Sequence, residues 1–186
     1  MLLKVSKSSR LQRVIDERVQ KKFEAAKAQM EVEFLAHPVT QEILAGEDAS
    51  NISGTLRGRG NLFGFIGFEK GSDPVTQALA LIRSSTQMRF LSKGTSGGKA
   101  VFKYKIFIPN RDAMEAATPM PWLEGRSWLY DIEKGISGFS QFLAKVKSGR
   151  SGAGIQSKNI VASGSFKPVE YYGKIINNFI SRLNKI

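Results

Sequence analysis

The six residues Gly94-Thr-Ser-Gly-Gly-Lys99 are the nearest this sequence comes to a ligand-binding motif. In a phosphate-binding loop, backbone N–H groups surround the phosphate, a lysine reaches it, and the next Ser or Thr holds magnesium. Here the spacing from first glycine to lysine is one residue short, and Ala100 stands where the hydroxyl is needed. The flanking pattern is strand–turn–strand rather than strand–loop–helix, so the segment reads as a hairpin turn. Gly58-Arg-Gly60 and Gly149-Arg-Ser-Gly152 likewise read as mobile loops, not nucleotide cradles.

Acid–base chemistry has little to work with. The one histidine, His37, precedes Pro38 at a helix boundary, where a helix-terminal role is the ordinary one. The chain has no cysteine, which excludes disulfides and thiolate zinc sites. Asp131 and Glu133 are two residues apart in an expected helix and would not share a face. No Asp-x-Asp or Glu-x-x-His pattern occurs, and no Gly-x-Ser-x-Gly elbow joins a strand to a helix. The sequence therefore assigns no catalytic residue, no cofactor-binding residue and no metal ligand, and the expectation is a protein that is not an enzyme.

Charge is the stronger signal. There are 28 Lys and Arg against 16 Asp and Glu, a net +12. Residues 37–92 are neutral, while 1–36, 93–147 and 148–186 carry +3, +4 and +5. An excess of this size favours polyanions or acidic protein surfaces as partners. Arg57, Arg59, Lys147, Arg150 and Lys158 lie on glycine-rich stretches from which they can reach a phosphate or a neighbour. Four of them, Arg57, Arg59, Arg150 and Lys158, are the expected partner or DNA contacts. Phe102, Tyr104 and Phe107 come with Lys103 and Lys105, which could mimic a single-strand-binding sheet. The plainer reading, preferred here, makes Phe102 and Tyr104 core and the lysines solvated. Contact with nucleic acid would be to the backbone, non-specific and salt-sensitive.

The elements that must position these residues follow from periodicity. Leu11, Ile15, Val19, Phe23, Ala26, Met30 and Phe34 predict one amphipathic helix over residues 8–36, ended by His37-Pro38. It is long for one domain, so it either crosses the domain or projects to a neighbour. A short helix from Thr40 to Ala45 follows, then a loop. Asn61–Phe68 reads as a strand apolar on both faces. Ser72-Asp73-Pro74 opens a helix, Thr86–Ser92 and Lys99–Ile108 form a hairpin, and Asn110 caps a short helix. Trp122 opens a strand, Ser127–Glu133 is helical, and Phe139–Val146 is helix or strand. Residues 147–159 form a mobile basic loop, and Pro168–Ile186 is an amphipathic helix. With 41% apolar residues and twelve Phe, residues 1–186 make a single domain. Its expected class is α+β: a long N-terminal helix, a central and mostly antiparallel sheet with a hairpin, short helices and a C-terminal amphipathic helix. No apolar run approaches the ~20 residues that cross a bilayer, and the N-terminus lacks a signal peptide's apolar stretch. A soluble chain without a membrane partner is expected.

A charged first helix is followed by His37-Pro-Val-Thr-Gln-Glu-Ile-Leu-Ala-Gly46, Gly54-Thr-Leu-Arg57 and Gly60-Asn-Leu-Phe-Gly-Phe-Ile-Gly-Phe68. Over residues 10–85 this order resembles the neck and tail-completion proteins of tailed bacteriophages, and equally other head–tail connector or tail-terminator components. The family's usual Pro-x-x-Thr-Gly-x-Leu run is not kept, since Pro38 and Thr55 lie far apart. The resemblance implies a ring subunit in the virion at the head–tail junction, present in the host cytoplasm during assembly. Its partners would be copies of itself, neighbouring connector, tail-tube or tail-terminator proteins, and DNA passing through the channel. The alternative is a free nucleic-acid-binding protein that grips phosphates through its basic glycine-rich loops.

Overall fold

The computed structural model describes residues 9–58, 60–121, 123–135 and 168–184. Helix α1 runs Ser9–Ala36, a rod of about 42 Å at ~1.5 Å per residue. The predicted stripe forms, but only its second half is core: Phe23, Ala26, Met30 and Phe34 are buried, whereas nothing between Ser9 and Lys22 is. Helix α2 is Pro38–Leu44, two residues earlier than the sequence suggested. His37 begins it, with Nδ1 accepting from Val39 N at 3.3 Å and Pro38 in the first turn.

The segment expected as a strand at Asn61–Phe68 is instead a short helix, α3, at Leu62–Ile66. An apolar run on all sides carries no period to tell helix from strand. Its ends decide the matter. Asn61 Oδ1 accepts from Gly64 N at 2.8 Å, and Gly67 ends the helix in the left-handed region at φ 83°. Leu62, Phe63 and Ile66 all enter the core.

Helix α4, Pro74–Ser85, starts as predicted, with Asp73 capping Thr76 N. Strands β1 (Gln87–Ser96) and β2 (Lys99–Phe107) then form an antiparallel hairpin. Its turn is Gly97-Gly98, both with positive φ, the requirement of a tight two-residue connection. The phosphate-loop look-alike is therefore the tip of a hairpin. Next come α5 (Arg111–Ala117, capped by Asn110), β3 (Pro119–Met120), β4 (Leu123–Ser127) and α6 (Trp128–Lys134, capped by Ser127). Strands β3 and β4 pair antiparallel in a second small sheet. The last helix, α7, is Tyr172–Leu183. The expected elements at Phe139–Val146 and 147–159, and Trp122 itself, lie outside the described residues.

The protein is thus α+β, with helices α1, α2, α4 and α7 around one apolar core. Helix α7 lies on the second half of α1, where Phe23 meets Phe179 edge-on at 6.1 Å and Glu33 binds Arg182 and Asn178. Tyr171, fully buried, stacks on Phe34 and shares a 2.5 Å hydrogen bond with Thr40. The N-terminus of α7 has no cap of its own. Glu133 on α6 supplies one, accepting from Gly173 N at 2.5 Å. Among the described residues no helix is long and apolar enough to cross a membrane.

Candidate assembly surface

Two features present charge outward, a clamped loop and a basic arm. The loop is built on Glu42 of α2, which has no solvent-exposed surface. Its Oε1 accepts from Leu62 N at 2.6 Å and from Asn51 Nδ2 at 2.9 Å, and its Oε2 from Ser53 N at 2.9 Å. Asn51 in turn accepts from Leu56 N and Gly58 N through Oδ1. Thr55 and Leu56 are buried. The loop is held at both ends by Glu42, through Ser53 N and Leu62 N, and Arg57 stands at the outer bend, exposed, with φ 53°. A side chain in the left-handed region costs about 1–2 kcal/mol, and here the hydrogen bonds around it sustain that geometry.

Arg57 is the one predicted contact the structure describes. Arg59, Arg150 and Lys158 lie outside the described residues. The organisers of the loop, Glu42 and Asn51, were not identified from the sequence as functional. A glutamate followed nine residues later by an asparagine is too common a pairing to signal anything.

The arm consists of Ser9–Lys22 of α1 and the β1–β2 hairpin. Tyr104 OH donates to Asp16 Oδ1 at 2.6 Å, and Lys93 Nζ donates to Gln12 Oε1 at 2.9 Å. Burial and then Asp16 push the Tyr104 hydroxyl up to about 12. At the arm's base, Lys27 Nζ donates to the carbonyls of Arg83 and Thr86, the electronegative end of α4. Phe90 packs edge-on against Tyr104 at 5.7 Å. The register shifts at Leu91, between Phe90 and Ser92. That extra residue turns Lys93 onto the side facing α1.

The outer side of the hairpin carries the charge. Arg89 lies directly opposite Lys105, and both sit over the Phe107 ring, at 5.3 and 5.0 Å from its centroid. Like charges placed opposite one another destabilise a strand pair. The ring face offsets part of that cost. Arg89, Lys103 and Lys105 form no ion pair among the described residues. As expected, the lysines are solvated. Phe102 and Tyr104, however, are half-buried beside α1 rather than in the main core.

His37 is a helix cap stacked against Tyr171 at 4.6 Å, and burial lowers its pKa. Among the described residues no three His, Asp or Glu side chains group as a metal site would need. Comparison with protein-family models, curated proteins and solved structures finds no match.

Proposed function

We propose that this chain is a structural, non-enzymatic subunit of a tailed-phage virion. In this reading it joins head and tail at their junction, as a neck or tail-completion protein, in a ring of its own copies. Adjacent connector, tail-tube or tail-terminator proteins would be its other neighbours. The observation that carries the reading is the arm. A half-helix with no buried side chain and a hairpin that leaves Phe90, Leu91 and Ile106 in solvent are what a surface completed by a neighbour looks like. The residues behind the family resemblance support it further. His37, Glu42, Gly54–Arg57 and Asn61–Phe68 are one hydrogen-bonded unit that presents Arg57. In a ring, Arg57 would face either the next component or DNA in the channel.

The test is location. Particles made without this chain should accumulate as filled heads and separate tails, and antibody against it should label the junction of intact particles. Normal particles formed in its absence would end the proposal.

The second reading, non-specific binding to nucleic acid, is favoured by the outer hairpin face, where Arg89, Lys103 and Lys105 flank Phe107. It predicts duplex affinity that falls steeply with salt, with a log–log slope of about −0.9 per phosphate neutralised. A flat salt response would exclude it.

A further inference from the structure

The register of the hairpin sorts its side chains onto two faces of different chemistry. Phe90 and Ile106 share the side of Tyr104, which is turned to α1. On the opposite side Lys99, Lys103 and Lys105 alternate along β2, and Arg89 stands across from Lys105. All four cations are exposed, and neither strand contains an acid. Among the described residues none of the four is in an ion pair. Ser92 and Ser96 stand across from Lys103 and Lys99 and add hydroxyl donors to the same face. Its larger apolar side chains, Val101 and Phe107, are half-buried, and Arg89 and Lys105 both lie over the Phe107 ring.

We propose that this face docks the phosphate backbone of a nucleic-acid duplex and neither reads nor stacks the bases. The inference rests on the nucleic-acid reading above and deepens it. Cations and hydroxyls are the side chains that contact phosphate. At ~3.4 Å per residue the row from Lys99 to Lys105 spans about 20 Å, and bonds from Tyr104 to Asp16 and from Lys93 to Gln12 hold it against α1. A duplex offers such a row phosphates that are already ordered. A single strand must be ordered on binding, and its binding proteins stack the bases on aromatic rings. Here two cations cover the Phe107 ring, while Phe102 and Tyr104 belong to the other face. A protein partner fits less well for a related reason. Interface cores centre on apolar and aromatic anchors, and this face exposes no large apolar side chain.

Anisotropy of a labelled DNA duplex, titrated with the full-length chain between about 50 and 200 mM salt, tests this. Arg89→Gln/Lys99→Gln/Lys103→Gln/Lys105→Gln clears the face and relieves the like-charge opposition across the strands, and circular dichroism verifies the fold. Its log–log salt slope should be shallower than the wild type's by about 0.9 for each cation lost, with affinity at ~0.1 M salt roughly tenfold or more weaker. Arg10→Gln/Arg13→Gln/Arg18→Gln/Lys21→Gln removes the same charge from exposed positions of α1 and should change the slope by less than about 1. Equal loss in the two variants would make affinity a property of net charge and overturn the site. Phe107→Leu should stay within about twofold of the wild type, and a single strand of equal length should bind more weakly than the duplex. The reverse order, or a large loss in Phe107→Leu, would reveal base stacking and overturn the duplex assignment. A cleared face that keeps duplex affinity but loses self-association, or loses binding to phosphatidylserine vesicles, belongs to a protein or a lipid surface instead. A wild type without salt-dependent duplex affinity ends the nucleic-acid reading itself, whereas equal binding by wild type and cleared face ends only this inference.

Discussion

At the scale of single residues, the most consequential side chain is a buried carboxylate surrounded by donors. Glu42 gathers two backbone N–H groups and Asn51, and so fixes three separate points of the chain. Glu42→Ala would leave those donors without their acceptor, and hydrogen bonds to a charged group are the costly ones to lose. We expect a loss of about 3–5 kcal/mol in urea unfolding, with Glu42→Gln losing less. Arg57 presents the opposite case. Its φ of 53° suits glycine better than arginine, so Arg57→Gly should raise the unfolding free energy by up to about 1 kcal/mol. On the proposed junction role, the same change should impair joining of heads to tails. Stability gained together with assembly lost marks a residue kept for contact, whereas unchanged assembly would show that the arginine is dispensable.

At the scale of elements, the arm is held by few bonds and should move first. Tyr104→Phe removes the hydrogen bond to Asp16 between β2 and α1. Hydrogen exchange should accelerate in Ser9–Lys22 and in the hairpin, while global stability falls by about 1 kcal/mol or less. Equal acceleration in α7 would instead mean that arm and core unfold together. The joint between α1 and α2 should be pH-sensitive. Burial holds the His37 pKa below the usual 6.5, partly countered by a hydrogen bond to the Glu170 backbone. Unfolded chains therefore take up the proton more readily than the folded protein. The stability present above pH 6.5 is lost as pH falls through the lowered folded value. Protonation at Nδ1 would also remove the acceptor for Val39 N. His37→Asn keeps a capping oxygen, so its melting temperature should fall less than the wild type's between pH 7.5 and pH 5.

For the whole molecule, the sum of charges matters less than its partition. A net +12 describes a general attraction to anions, yet among the described residues a positive arm projects from a body with more acids than bases. Association between such parts should weaken with ionic strength. The screening length drops from about 10 Å at 0.1 M salt to about 3 Å at 1 M. Sedimentation across that range should show progressive dissociation, because screening removes the attraction between opposite charges. Association insensitive to salt would make the contact purely apolar and remove the charge argument.

Several features were legible in the sequence because each is written locally. Helix α1 shows its stripe, Asp73-Pro74 and Asn110 announce their helices, and Gly97-Gly98 fits a hairpin turn whatever surrounds it. The α+β class follows from these, and so does the wet lysine side of β2. The sequence failed where the local pattern was uniform. Leu62–Phe68 has no polar side chain and no period, so its helical form is fixed at its ends, where Asn61 caps Gly64 N, Gly67 turns left-handed and Glu42, twenty residues away, takes the Leu62 N–H. Tertiary structure alone also determined which half of α1 is core, since Leu11, Ile15 and Val19 have the same spacing as Phe23 but no core beneath them. It determined the charge partition too. The arm joins residues some eighty positions apart, such as Asp16 and Tyr104, and no window along the chain adds their charges together.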